Sequence, residues 1–438
     1  MHIRRLEHVD PLALYGAVRR EGRDPFMLES RTKEGSHARY TYISSNPAYT
    51  VEIGSGGTRV DGSYLSSERN PFRALKSLHE CHVDGEGFVG GFVGYAAYDS
   101  VHADVGGHIA EPSCFGFYPG AFVYDHVHDT LTYRCLPGHE GHDVDGIVAE
   151  ARTMEVGLCQ NPSSIRRTDA DRACYEDMVE RARDYVFAGD VFQVVLSREY
   201  EVSTPMSPFE AYLRLRGANP SPYLFLIEFE RMKVAGSSPE TMVRVEGDTL
   251  HINPIAGTTT RGASHAEDGA LATRLLQDEK ERAEHVMLVD LARNDARKVA
   301  LPGSVHVPTY MEVVPYARVQ HIESEVVAKL RPDATMYDAL AAAFPAGTLS
   351  GAPKVRAMEV ISELERSPRR AYGGCAGYFS LNGTADTAIA IRMIQFDKAC
   401  RVRAGAGIVA DSVPSTEFDE TEKKMSAVLS ALNVEGGI

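Results

Sequence analysis

The amino-acid sequence predicts an α+β fold. Short strand-like segments separated by turns fill the first part of the chain, where apolar residues either alternate with polar ones or run together. Segments of the second part carry apolar residues at helical spacing, at 175–186, 278–291 and 354–364. At 438 residues, without an internal repeat, the chain is long enough for two lobes or for one large intertwined domain.

The composition is that of an ordinary soluble globular protein, with 43% hydrophobic and 24% charged residues. Its 46 Lys and Arg against 61 Asp and Glu leave a formal net charge of -15. Because this overall field repels polyanions, we expect neither nucleic acid nor an anionic membrane as a partner, although a local basic pocket can still bind a small anion.

Seven cysteines are scattered along the chain without a C-x-x-C pair. Their odd number and spacing argue against a zinc knuckle or a disulfide framework and for reduced thiols. No apolar run follows the basic residues of the N-terminus, as it would in a signal peptide, and no segment reaches the apolar length of a membrane span. The sequence therefore predicts a cytoplasmic protein.

In the first part, strands are predicted at 26–30, 39–43, 87–95 and 122–126. Aromatic residues between glycines at 87–95 indicate a strand where backbones approach closely. Between His139 and Thr168 the composition shifts toward Gly, Asp, Ser and Asn. We therefore predict an N-terminal, mainly β lobe at 1–160 and a second domain at 165–438.

The second part begins with a helix, for which Asp169 or Asp171 is the predicted cap. The apolar run 191–197 then predicts a buried strand whose one amide is Gln193, although a glutamine bonded to the backbone would look the same. Two prolines within 219–223 predict a rigid turn.

Two pairs of glutamates share one spacing. Glu281 and Glu284 lie three residues apart at the polar start of the predicted helix 278–291, and Glu417 and Glu420 repeat that spacing near the end of the chain. Residues at i and i+3 share a helix face, so the like charges repel each other unless a cation lies between them. Four oxygen donors suit Mg²⁺. Each pair taken alone is better explained as a solvated helix face.

The last hundred residues contain a long turn at 344–353 and then the helix 354–364, with Ser350 as its predicted cap. Strands are predicted at 372–378 and 388–392. Arg392, which stands in the apolar run of the second strand, needs an anion beside it.

The segment 404–410 matches the dinucleotide fingerprint G-x-G-x-x-[GA]. We reject a dinucleotide site, because Asp-Ser-Val-Pro at 411–414 breaks any helix and too little chain remains for a βαβ unit. We interpret the segment, like the one at 254–258, as a turn whose bare backbone faces a ligand.

In their order along the chain, these segments resemble the chorismate-utilising enzymes, and among them the component I family of anthranilate synthase. The resemblance runs from about residue 26 to the last helix, and its most specific segments are 189–197, 254–258, 280–295, 344–358 and 405–420. It implies large antiparallel sheets packed as a sandwich with flanking helices, and an active site in the cleft.

The resemblance also implies a bound Mg²⁺ that holds the ring carboxylate of chorismate. Glu284 and Glu420 match direct ligands, while Glu281 and Glu417 match residues that act through water. Substrate contacts are implied for a further set of residues, namely Gly257, Thr258, Tyr372, Arg392, Gly405, Ala406, Gly407 and Lys424.

The implied reaction is amination of chorismate at ring C2 with loss of the C4 hydroxyl, followed by elimination of pyruvate to give anthranilate. Hydroxide is a poor leaving group, so a general acid is required, and Glu240 matches it. Burial or nearby negative charge must then keep Glu240 protonated. His321 matches a histidine linked to progress through the elimination; without its surroundings it is better explained as a core histidine.

Two positions separate related activities within the family. Relatives that use water as the nucleophile carry a lysine where this chain has Gln193, and aminodeoxychorismate synthases carry one where it has Ala256. We therefore expect anthranilate synthase activity, with aminodeoxychorismate synthase component I as the alternative. A non-catalytic tryptophan sensor of the same fold is a second alternative, which the intact set of active-site residues opposes.

Ammonia is expected from a separate glutamine amidotransferase subunit, component II, because no glutaminase segment is recognised in the chain. Segments 28–30 and 219–223 resemble those that form the tryptophan feedback site of the family. The predicted tryptophan-binding residues are Ser30, Pro220, Ser221 and Pro222, although ordinary turn structure also explains both segments.

Overall fold

The computed structural model confirms an α+β fold built on two large antiparallel sheets. It describes residues 1–30, 39–79, 81–139, 143–158, 160–316 and 319–434. Within these ranges each sheet contains twelve strands, and eleven α-helices flank the sheets. No helix of the described ranges is long and apolar enough to cross a membrane.

The first sheet joins strands from both halves of the chain. Its strands follow one another in the order β1 (His2–Leu6), β10 (Thr130–Cys135), β9 (Gly120–Asp125), β3 (Tyr40–Ser44), β2 (Phe26–Glu29), β13 (Tyr223–Glu228), β14 (Lys233–Ser238), β23 (Met393–Phe396), β24 (Cys400–Ile408), β12 (Gln193–Ser203) and β11 (Ser164–Thr168), with β20 (Gly351–Ala352) beside β12.

The second sheet is assembled in the same way from distant segments. Its order is β17 (Ile255–Thr260), β19 (Val319–Lys329), β16 (Thr249–Ile252), β15 (Thr241–Glu246), β22 (Ala385–Ile389), β21 (Cys375–Ser380), β7 (Gly91–Ala96), β8 (Ser113–Tyr118), β4 (Tyr49–Gly54), β5 (Gly57–Val60) and β6 (Ser63–Ser66), with β18 (His306–Pro315) beside β19. The predicted division at residue 160 stays a prediction, and strands from both sides of it share both sheets.

Eleven α-helices within the described ranges connect and flank these strands. They are α1 (Pro11–Glu21), α2 (Pro71–Leu78), α3 (His102–Val105), α4 (Val144–Ala151), α5 (Arg172–Phe187), α6 (Pro208–Ala218), α7 (His265–Gln277), α8 (Glu279–Arg297), α9 (Met336–Ala343), α10 (Lys354–Leu364) and α11 (Pro414–Ala431). Short 3₁₀ turns occupy Tyr98–Val101 and Gly347–Leu349.

A shared core confirms that the two sheets pack face to face as a sandwich. Phe26 and Phe225 of the first sheet lie in one buried apolar cluster with Val93, Tyr95 and Tyr378 of the second. The outer faces carry helices, with α1 and α4 against the first sheet and α2, α8 and α9 against the second. Helices therefore cover the apolar faces that the sheets leave outside the sandwich.

Several local predictions are confirmed. Asp171 caps α5 by accepting the backbone N–H of Cys174, and α10 buries Met358, Ile361 and Leu364 as its spacing predicts. The glycines of β7 do mark close backbone contact, since a Cβ at Gly94 would lie 2.1 Å from the Cys114 carbonyl oxygen.

Four local predictions are wrong. Segments 404–410 and 254–258 are mainly strand, because β24 pairs with β12 as far as Ile408 and β17 pairs with β19. Arg392 lies beyond the end of β22, at a backbone φ of 50°, and so is not a strand residue. Ser350 does not cap α10, because its hydroxyl donates to the Ala346 carbonyl instead.

Candidate active site

Helix α8 brings the first pair of glutamates to the second sheet. Asp278 starts the helix by accepting the backbone N–H groups of Lys280 and Glu281, at 3.0 and 3.1 Å. One face of the helix buries His285 and Leu288 against the sheet. The buried face fixes the rotation of the helix, and Glu281 and Glu284 are thereby held one turn apart at its start.

The two glutamates of α8 lie close to residues of both sheets. A Cβ built on Gly257 of β17 would lie 3.2 Å from Glu281 Oε2. Gln193 of β12 donates from Nε2 to Glu284 Oε1 at 3.3 Å, and a Cβ on Gly407 would lie only 2.4 Å from that Nε2. A side chain at either position would crowd the carboxylate or the amide, and the φ of 65° at Gly257 also favours glycine.

Helix α11 brings the second pair of glutamates into the same electrostatic neighbourhood. Burial raises the pKa of Glu281, and the charges of Glu284 and Glu420 raise it further. Burial likewise raises the pKa of Glu417, to which Glu420 adds. Lys424 partly offsets this charge through an ion pair of 2.6 Å with Glu420. Four carboxylates from two helices thus repel one another across a short space.

Oxygen donors of this kind fit Mg²⁺, and a cation would relieve the repulsion that raises these pKa values. In the ranges that the structure describes, no three His, Cys, Asp or Glu side chains lie close enough together to hold an ion as they stand. The carboxylates would therefore have to move closer together on binding a metal, and their role as ligands stays a prediction.

Glu240 lies between β14 and β15 and is 8% exposed. Its Oε1 accepts a hydrogen bond of 2.9 Å from the Thr348 hydroxyl. Burial raises the pKa of Glu240 to about 8; the charge of Glu323 adds to this, while Thr348 and Lys424 oppose it. A carboxyl group with this pKa is mostly protonated at neutral pH, as a general acid must be.

The imidazole of His321 lies on β19, beside β17. Its Nδ1 is 2.9 Å from the Gly257 carbonyl oxygen and 3.1 Å from the Thr258 hydroxyl. A carbonyl only accepts hydrogen bonds, so Nδ1 carries the proton and the neutral ring keeps Nε2 as an acceptor. Burial lowers the pKa of His321; the hydrogen bond to Gly257 opposes this shift and the charge of Arg392 adds to it, so that the neutral form is favoured.

Arg392 and Tyr372 are electrostatic neighbours on the same side of the site. Burial lowers the pKa of the Arg392 guanidinium, and within the described ranges no carboxylate forms an ion pair with it. A partly buried cation in these surroundings is stabilised by an anionic ligand. A substrate carboxylate would satisfy it.

The remaining predicted substrate-binding residues lie along β24 and α11. Gly405 and Gly407 pair with Ser197 and Val195 of β12, and Lys424 donates from Nζ to the Gly405 carbonyl at 2.9 Å. Ala406 has its methyl group in an apolar core. Any contact of Ala406 with substrate would therefore come from its backbone.

The family described as chorismate binding enzyme matches residues 23–430. The chain belongs to this chorismate-binding enzyme family. It is 55% identical to anthranilate synthase component 1 of Thermococcus kodakarensis, over 99% of this chain and 100% of that protein. It is 53% identical to anthranilate synthase component 1 of Archaeoglobus fulgidus, over 98% and 99% of the two chains.

Two solved structures have the same fold. Anthranilate synthase component I from Streptococcus pneumoniae superposes with a TM-score of 0.80 at 35% identity, over 91% of this chain and 94% of that one. The menaquinone-specific isochorismate synthase of Escherichia coli superposes with a TM-score of 0.74 at 19% identity, over 99% and 95%. The second likeness concerns the chorismate-binding fold alone.

The sequence analysis did not identify three residues of the candidate site, namely Thr348, Tyr316 and Glu323. Thr348 lies in the predicted turn 344–353, but its bond to Glu240 joins segments that are 108 residues apart. Glu323 could have been found, because the sequence of 316–327 also indicates a strand, on which Glu323 follows His321 by two residues and so shares its face. Tyr316 donates a hydrogen bond to Glu323, and nothing in the sequence indicates that bond.

A cavity between the two sheets contains one of the four predicted tryptophan-binding residues in its lining. Ser30 lines it, together with Tyr223 at the end of the predicted turn 219–223. Aromatic and small residues of both sheets form the rest of the lining, including Tyr42, Tyr378 and Ala388. Pro220, Ser221 and Pro222 do not line this cavity.

The surroundings of Cys375 contain a glutaminase-like pattern that the sequence analysis did not take into account. The segment 373–377 formally matches the glutaminase pattern G-x-C-x-G, which was not recognised there. The structure places Cys375 in the core at 1% exposure, and burial raises the pKa of its thiol to about 12. A thiol that is buried and protonated is no nucleophile.

Proposed function

We propose that this chain is the large component of an anthranilate synthase, which converts chorismate and ammonia to anthranilate and pyruvate in the first committed step of tryptophan biosynthesis. The observation that carries the proposal is the convergence of a protonated Glu240, a neutral His321 and an unpaired Arg392 beside two glutamate pairs. Relatives named anthranilate synthase component 1 match the chain along nearly its whole length.

Glu284 and Glu420 would hold Mg²⁺, with Glu281 and Glu417 behind them. When bound, Mg²⁺ supplies a positive charge that holds and neutralises the ring carboxylate of chorismate. Arg392, with Tyr372, binds the enolpyruvyl carboxylate at the other end, so that the ring is oriented between two charged anchors.

In the first step the C2–N bond to ammonia forms and the C4–O bond breaks. Glu240 gives its proton to the departing oxygen, which leaves as water. In the second step ring C2 loses its proton and the C3–O bond breaks. The enolpyruvyl group leaves as pyruvate after its methylene carbon takes up a proton, and the ring becomes aromatic. Nε2 of the neutral His321 is available as the proton acceptor in this step.

Ammonia would come from a glutamine amidotransferase subunit, component II, for which ammonium salts substitute in vitro. Tryptophan would act as a feedback inhibitor in the cavity lined by Ser30 and Tyr223, whose aromatic lining suits an indole ring.

Anthranilate fluorescence tests the proposal directly. We expect anthranilate and pyruvate in equal amounts when the chain alone is mixed with chorismate, Mg²⁺ and an ammonium salt. Formation of 4-amino-4-deoxychorismate instead would identify an aminodeoxychorismate synthase. Consumption of no chorismate, together with tight tryptophan binding, would identify a non-catalytic sensor and contradict the proposal.

A further inference from the structure

Tyr316 and Glu323 contact the His321 side of the site but take no part in the reaction described above. The Tyr316 hydroxyl donates a hydrogen bond to the Glu323 carboxylate. The ring of Tyr316 meets the imidazole of His321 edge-on, with 5.4 Å between the ring centroids and 69° between the ring planes. A chain of direct contacts therefore runs from Glu323 through Tyr316 to His321.

The strand pattern explains why these groups meet. His321 and Glu323 are partly exposed residues on one face of β19, whereas Ile322 and Ser324 alternate with them and are buried. His321 and Glu323 lie in the part of β19 that pairs with β17. Glu323 pairs with Ile255, and the His321 imidazole bonds the Gly257 carbonyl. The His321 contact therefore lies where the antiparallel pairing of β17 with β19 shifts register, at Gly257.

Tyr316 is held at both ends. Its backbone N–H donates to the Val319 carbonyl at 2.8 Å, and its carbonyl accepts from Nη1 of Arg261 at 2.6 Å. Its hydroxyl is held by Glu323 at the far end of the ring. A ring with both ends fixed is a rigid surface for the imidazole beside it.

Within the described ranges, the only hydrogen-bond partner of the Glu323 side chain is the Tyr316 hydroxyl. Its neighbour on the same face, Glu325, forms a hydrogen bond of 2.9 Å with His251. Burial disfavours the charge of Glu323 and raises its pKa, which the bond from Tyr316 opposes. Burial of a carboxyl group costs free energy, so this bond must recover part of that cost.

Resting on the proposed function, we propose that Tyr316 and Glu323 are positioning residues that hold the His321 imidazole in the orientation used in the elimination of pyruvate. The imidazole has two acceptors within reach of Nδ1, the Gly257 carbonyl and the Thr258 hydroxyl. The Tyr316 ring restricts rotation between them. Loss of that restriction impairs the elimination more than the amination, since Glu240 serves the amination.

Product partition tests this role. Tyr316→Phe keeps the ring but removes the hydroxyl that Glu323 holds, and Glu323→Val removes the acceptor of that bond. We expect both variants to slow anthranilate formation by about tenfold or more and to release the aminated intermediate that still carries its enolpyruvyl group. The KM for chorismate should not change. Glu323→Gln keeps an oxygen that accepts from Tyr316 and should restore most of the anthranilate. The matched control is Glu325→Gln, on the same face of the same strand, which should behave as the wild type.

A second measurement does not depend on turnover. With ¹³C- and ¹⁵N-labelled histidine, the ring signals of His321 should show a proton on Nδ1 in the wild type and should shift or broaden in Tyr316→Phe and Glu323→Val, but not in Glu325→Gln. If the first two variants match Glu325→Gln in both product ratio and His321 signals, the positioning role is wrong. If the wild type forms no anthranilate, the proposed function fails, and the His321 signals still decide whether Tyr316 and Glu323 hold the ring.

Discussion

Glu240 shows how surroundings assign a role to a single residue. An exposed glutamate would be ionised at neutral pH, but burial raises the pKa of this one to about 8. Thr348 donates to its carboxyl group and opposes the shift without cancelling it. His321 is instead kept neutral, because burial lowers its pKa. One acid and one base can thus coexist at the same pH.

The pH dependence of kcat should follow these two groups. Because Glu240 acts in its protonated form, kcat should fall as pH rises through about 8. Because His321 acts in its neutral form, kcat should also fall in acid, below the ordinary pKa of histidine. The assay must hold free ammonia constant, since ammonium deprotonates as pH rises. A rate that keeps increasing above pH 9 would contradict the acid role.

Replacement of Glu240 by Gln isolates the same role. The amide cannot give up a proton, so we expect kcat to fall by about 100- to 10,000-fold. Chorismate binding in the presence of Mg²⁺, measured by calorimetry, should remain near that of the wild type. Retained turnover by Glu240→Gln would show that another group protonates the leaving oxygen.

Arg392 should matter chiefly for substrate binding. In Arg392→Lys the charge remains but the planar pair of donors is lost, and we expect the KM for chorismate to rise by about tenfold, or ~1.4 kcal/mol. Arg172→Lys is the control, because Arg172 lies on the surface and pairs with Glu176 and Asp419. Equal KM values for the two variants would argue against a carboxylate contact.

At the scale of secondary-structure elements, two helices determine where negative charge collects. Asp278 starts α8, while Pro414 occupies the first turn of α11, and each helix presents two glutamates one turn apart near its start. The N-terminal ends of both helices favour negative charge, which offsets part of the repulsion within each pair. The repulsion that remains between the two pairs would be relieved by a bound cation.

Thermal unfolding with and without Mg²⁺ tests whether a cation binds between the two glutamate pairs. We expect Mg²⁺ to stabilise the wild type by about 2.7 kcal/mol at a concentration of about 100 times its Kd, and chelation to reverse the effect. Glu284→Gln should lose most of this stabilisation. Glu279→Gln serves as the control, because Glu279 is an exposed residue in the first turn of the same helix. A Mg²⁺ effect that is equal in both variants would rule out Glu284 as a ligand.

At the scale of the whole molecule, the candidate active site and the cavity that contains Ser30 are both built from the same two sheets. The glycines and the amide that surround the glutamates come from both sheets, and so does the lining of the cavity that contains Ser30. A ligand that separates the sheets at the cavity would change the spacing of the same two sheets whose other strands carry the active-site residues. This shared construction would be a physical route for the tryptophan feedback that we propose.

Inhibition by tryptophan tests that route. We expect Ser30→Ala to raise the inhibition constant for tryptophan by about tenfold while kcat and KM stay unchanged. Ser63→Ala, at an exposed position of β6, is the control. If Ser30→Ala is inhibited as strongly as the control, the tryptophan site lies elsewhere.

Much of the site could be predicted because its chemistry is local in sequence. The spacing of Glu281 and Glu284 and the cap Asp278 act within one or two turns of helix. The predictions at 254–258 and 404–410 were wrong because glycine-rich segments are turn-like by composition, whereas strand pairing with a distant partner decides their structure. Gly405 pairs with Ser197, more than two hundred residues earlier in the chain.

The sequence by itself determined the α+β class, the glutamate pairs and the order of segments that resembles the family, because these depend on residue type and short spacing. Only the tertiary structure decided that Glu240 is protonated, that His321 is neutral with its proton on Nδ1, and that Tyr316 and Glu323 contact it. Protonation and orientation depend on burial and on partners from other strands, and these exist only after the two sheets have packed together.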